Sequence, residues 1–172
     1  MTVRSLTTEA GAPARSEVAV YVEGMLAGIA GAAAIALWFL ILDAFEGRPL
    51  YTPTMLGTVL FHGAGTPVDI KSLPPSFETV VSFTWVHTLI FLLIGMAAAK
   101  LVEVAERDPN LGFGVIILFV VFQFGFLQVS MIVASQVLDA LAWPAVMGGN
   151  LIAAAAMAAV LWRRHPRLVI AP

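Results

Sequence analysis

Apolar residues in this chain fall mostly into long unbroken blocks, not at the alternating spacings of half-buried strands or surface helices. One block runs from Thr79 to Ala99 (TVVSFTWVHTLIFLLIGMAAA), between Glu78 and Lys100, with His87 its only titratable group. As a helix it would rise roughly 30 Å, about the hydrocarbon thickness of a bilayer. A block at Val18–Leu42 holds the uncharged run GMLAGIAGAAAIALWFLIL between Glu23 and Asp43. Another, Leu111–Leu138, lies between Asp108 and Asp139 and exceeds what a bilayer needs, so its helix should tilt or protrude. The last, Trp143–Trp162, has Pro144 in its first turn, where a missing N–H costs nothing, and ends at Arg163-Arg164-His165. The pattern predicts an all-α integral membrane protein, a four-transmembrane-helix bundle with spans at about 18–42, 79–100, 111–138 and 143–162. The short link between the last two makes them an antiparallel hairpin.

The polar stretches between these blocks divide the rest of the chain. Residues 1–17 form a polar tail without the apolar run of a signal peptide, and 163–172 a basic tail. Between them, 18–162 reads as a single membrane domain. Ser16 and Ser76 are placed as helix N-caps. Residues 43–78 make one long loop punctuated by proline and glycine. Within it Thr54–Phe61 (TMLGTVLF) is too short to span and reads as a short helix at the membrane interface, closed by His62.

Charge orients the bundle. Seven of the nine Lys and Arg residues (Arg4, Arg15, Lys100, Arg107, Arg163, Arg164, Arg167) fall on one side of the four spans. Basic residues mark the cytoplasmic side, so both termini are expected there, in a plasma (inner) membrane, with the 43–78 loop outside. Trp38, Trp85 and Trp143 then lie toward the outer surface, Tyr21 and Trp162 toward the inner one, as interfacial aromatics do.

Composition narrows the class further. At 60% hydrophobic and 12% charged residues, the chain has too few polar side chains to cover a soluble fold of this size. Its mean hydropathy of +0.93 agrees. The absence of cysteine removes disulfides, thiolate metal sites and cysteine nucleophiles together. No basic patch large enough for nucleic acid is present.

Two features carry candidate roles. Gly24, Gly28 and Ala32 recur four apart, and Gly31 widens the same smooth strip, a surface on which a neighbouring helix can pack closely. Counted from the basic boundary of each span, His87, Gln123 and Asn150 lie at one depth, about 20 Å in, with Gln128 a turn further. These four form an expected buried polar layer, since uncharged polar groups in lipid seek one another.

The layer either fixes helix register or does chemistry, because a titratable residue at this depth is a functional-site candidate. His87 is the candidate residue for holding a haem b or a quinone, and a haem takes a second ligand, for which Met131 and His62 are the candidates. Glu23, Asp43 and Asp139 fall at span ends, so a mid-membrane carboxylate for proton-coupled export is missing. Asp43, Glu46, Asp69, Glu78, Asp139 and His62 give the outer face an acidic excess, read as a solvated surface and not as a metal site. Ser82 lies on another face from His87, which leaves no paired nucleophile and base. Three readings follow: a non-catalytic accessory or assembly subunit of a larger membrane complex; a haem- or quinone-binding electron-transfer subunit using His87; and a small homodimeric transporter or channel. The expected partners are membrane lipids and other membrane subunits or a second copy, with no nucleic acid.

Overall fold

The computed structural model describes residues 16–63, 74–107 and 143–164. These form four helices and no strand: α1 (Glu17–Phe45), α2 (Tyr51–His62), α3 (Phe77–Arg107) and α4 (Trp143–Arg164). Three of them, α1, α3 and α4, are long and apolar enough to cross a membrane. The expected span at 111–138, with Gln123, Gln128 and Met131, lies outside the described residues.

Local chemistry sets the helix starts. Ser16 Oγ accepts the Ala19 N–H at 3.3 Å at the start of α1, and Ser76 Oγ accepts the Thr79 N–H at 3.3 Å at the start of α3. Each satisfies a backbone donor that has no partner within its own helix. The start of α2 is less conventional. Its N-cap, Leu50, is left-handed (φ 69°) and offers no capping side chain. Helix α2 nevertheless begins before Pro53, because a proline in the first turn sacrifices no helical hydrogen bond.

Helix α1 is the hub, and α3 and α4 pack on it and barely touch one another. Contacts between α1 and α3 run in opposite chain directions: Glu17 with Lys100, Gly24 with Met96, Gly28 with Phe91. Those between α1 and α4 do the same, from Glu23 with Arg164 through Gly31 with Met157 to Trp38 with Ala145. Both neighbours are therefore antiparallel to α1.

Glycine makes the α1–α3 approach possible. A methyl group on Gly24 would stand 2.5 Å from the Met96 Cα and 2.7 Å from the Gly95 carbonyl oxygen. One on Gly95 would run into the Gly24 carbonyl and stand 2.6 Å from the Gly28 nitrogen. Backbone thus packs on backbone, and many weak dispersion contacts hold the pair where lipid removes any hydrophobic drive. Below this crossing, Val20, Ala27, Ala99, Met157 and Leu161 form a core shared by all three long helices.

Helix α2 closes the other end. Tyr51 and the fully buried Met55 pack among Phe39, Leu56, Val59 and Val146, joining α1, α2 and α4. Gly57 lets α2 lie against Thr79 and Phe83 of α3. Much of the remaining surface of the long helices is apolar, including Leu37, Leu89, Leu93, Leu151 and Trp162, all more than half exposed. Such a surface suits lipid or other membrane helices.

Candidate functional site

The polar and charged side chains buried within the described residues sort by position. At the end where α2 packs, Asp43 in the last turn of α1 is only 3% exposed. Its carboxylate accepts the Thr52 N–H at 2.7 Å and the Thr52 hydroxyl at 2.6 Å. The carboxylate therefore caps α2 from outside that helix, supplying what Leu50 cannot and sitting at the positive end of the α2 dipole. Thr54, also buried, donates its hydroxyl to the Leu50 carbonyl and accepts the Ser76 N–H, which ties the start of α2 to the start of α3.

The opposite end is ionic. Glu103, nearly buried, meets Lys100 at 2.8 Å, and Lys100 also approaches Glu17 of α1 at 3.8 Å. Glu23, 8% exposed, stands 3.8 Å from the Arg164 guanidinium at the end of α4. Burying a carboxylate is costly unless it is paired, and these pairs connect α1 to both neighbours.

His87 lies between these two ends, on the α1 side of α3. Its ring is stacked with Phe83 (centroids 5.6 Å apart) and tilted against Phe91 (4.7 Å), one turn away on either side. Opposite it, α1 offers small residues, Gly28, Gly31 and the buried Ala32, and the ring faces the Ala32 backbone carbonyl. The ring's Nε2 has no accessible surface and no hydrogen-bond partner among the described residues. An orphaned buried polar atom is rare in native proteins and usually marks a ligand, a water or a functional role.

No known protein family, curated protein or solved structure matches this chain. The site has to be read from its own geometry.

The other residues singled out in the sequence are placed as follows. Gly24 and Gly28 face the α3 backbone. Gly31 faces Met157 of α4 and the Phe91 ring, while Ala32 faces His87. Asn150 follows Gly149, which packs on Ile35 and Trp38 of α1. It therefore sits about a turn nearer the α2 end than His87, whose level on α1 is Ala32. No hydrogen bond joins His87 to Asn150 among the described residues. His62 closes α2 and is exposed. Of the outer acidic residues, Asp69 and Asp139 lie outside the described residues, and Asp43 is a buried helix cap and not part of a solvated face. No three His, Asp or Glu side chains gather as a metal site among the described residues.

Sequence reasoning passed over two features of this architecture. Gly95 completes the glycine contact on the α3 side, and only its partners on α1 were regularly spaced enough to notice. Trp38, an expected interfacial aromatic, also lays its ring on Gly148 and Gly149, and its indole N–H donates to the Ala145 carbonyl at 2.9 Å. The Gly148-Gly149 pair, opposite the chain's first tryptophan, was the available signal.

Proposed function

We propose that this chain is a non-catalytic accessory or assembly subunit of a larger membrane complex, set in a plasma (inner) membrane with both termini cytoplasmic. The observation that carries this reading is the use made of buried polar groups. Asp43, Thr52, Thr54, Glu23 and Glu103 hold helix ends and helix pairs together, and none of them is arranged as a nucleophile with its base. The exposed apolar faces of α3 and α4 supply the surface for neighbouring subunits. A photoreactive residue at Leu93 or Leu151, introduced in native membranes, should capture the same few membrane polypeptides in fixed proportion. Labelling of lipid alone would remove the support for a subunit role.

A second reading is favoured by one observation, the buried Nε2 of His87, which has no hydrogen-bond partner among the described residues. In it, the chain is a haem- or quinone-binding electron-transfer subunit, and His87 is the residue that holds the group. A visible absorption spectrum of the purified protein separates the haem form of this reading from the quinone form.

A further inference from the structure

Among the described residues, Leu50 is the only non-glycine with a positive φ, 69°. Its Cβ crowds the backbone there, and a leucine keeps that conformation only where its surroundings impose it. Here the seating of α2 imposes it. Leu50 is the N-cap of α2 and offers no capping side chain, so the cap comes from Asp43 on α1, which holds Thr52. The chain turns at Gly47 (φ 71°) before the helix and at Gly63 (φ 85°) after it. Glycine enters and leaves such angles without steric cost, so α2 is hung between two pivots.

All three long helices contribute to its seat. Tyr51 and Met55 pack against Phe39 of α1 and Val146 of α4. Gly57 lies on α3, where an added methyl group would stand 2.6 Å from the Thr79 Cγ2 and 3.2 Å from the Phe83 Cβ. Phe83 in turn stacks on His87.

We propose that α2 is a hinged strap, which lifts from its seat as a unit while α1, α3 and α4 stay packed. In the lifted form the bonds from Thr52 to Asp43 are broken and Leu50 returns to an ordinary backbone conformation. The cradle of Phe39, Val146, Thr79 and Phe83 is then uncovered, and the ring that flanks His87 loses its support. Strain at Leu50 offsets part of what the cap bonds contribute, which keeps the lifted form within reach of a local opening. The strap goes beyond both readings of function above and depends on neither.

The chain contains no cysteine, so single introduced thiols report on the strap without background. Met55→Cys replaces a fully buried side chain of α2, and Val20→Cys one in the core shared by the three long helices. Each full-length variant, in lipid nanodiscs and below its unfolding temperature, is treated with N-ethylmaleimide, which is small and apolar enough to enter lipid. Where opening and closing outpace the reaction, the labelling rate follows the population of the open form. Met55→Cys should react about ten-fold faster than Val20→Cys, or more, as local opening requires. Adding Asp43→Ala, or the crowding Gly57→Ala, should speed Met55→Cys about five-fold or more and leave Val20→Cys unchanged. Leu50→Gly removes the strain, whereas Leu50→Ala removes the same side chain and keeps Cβ. Labelling of Met55→Cys should be about three-fold slower with the glycine than with the alanine. Equal rates at positions 55 and 20, rising together in the Asp43 and Gly57 variants, would mean that α2 opens only with the whole bundle and would overturn the strap. Labelling as fast with Leu50→Gly as with Leu50→Ala would overturn the release of strain at Leu50.

Discussion

The absence of one side chain, at Gly95, allows α1 and α3 to meet backbone to backbone. Gly95→Ala would force a methyl group into the Gly24 carbonyl and the Gly28 backbone, atoms that cannot rotate away. It should lower stability by about 1–3 kcal/mol, as overpacking does, measured by denaturing-detergent titration in micelles. Ala97→Leu, on the exposed side of the same turn, should be close to neutral. Trp38→Phe keeps a ring on the Gly148-Gly149 shelf and loses the bond to the Ala145 carbonyl. Its expected cost is about 0.5–1.5 kcal/mol, read in the same titration. What the sequence revealed at this scale depended on repetition. Gly24, Gly28 and Ala32 announce a face because they recur at helical spacing. Gly95 and Trp38 act through a single partner each, which only the folded chain identifies.

Single residues also decide where elements begin. The three long helices were legible because an uncharged block flanked by charges has few other structures open to it in lipid. Helix α2 was legible as a short apolar stretch, but its start was not, because Pro53 reads as a boundary when taken alone. The structure extends α2 to Tyr51 because the proline sits in the first turn and Asp43, nine positions back on α1, takes the Thr52 N–H. Asp43→Ala should therefore loosen α2 selectively, at a cost of about 1–2 kcal/mol. Asp43→Asn, which keeps an acceptor oxygen, should cost less. Hydrogen exchange would show the effect in the first turn of α2, with α1 unchanged; loss of protection throughout α1 would assign Asp43 a different role. Of the layer that depth counting proposes, Gln123 and Gln128 lie outside the described residues, and the packing of Gly149 on Ile35 and Trp38 sets Asn150 about a turn nearer the α2 end than His87.

The described part of the molecule is built around α1, with one antiparallel neighbour on each of two faces, an ionic end and an end closed by α2. Its basic residues argue that the ionic end is cytoplasmic. A reporter fused after Pro172 should then be active only if it works in the cytoplasm; an exported-only reporter that proves active there would reverse the orientation. The proposed role makes this chain one subunit among others, and native mass spectrometry of the tagged protein, extracted from its own membranes in mild detergent, puts that to the test. The expected result is an assembly in which this chain sits in fixed stoichiometry with different membrane polypeptides. A homogeneous monomer or homodimer carrying no other polypeptide would contradict it.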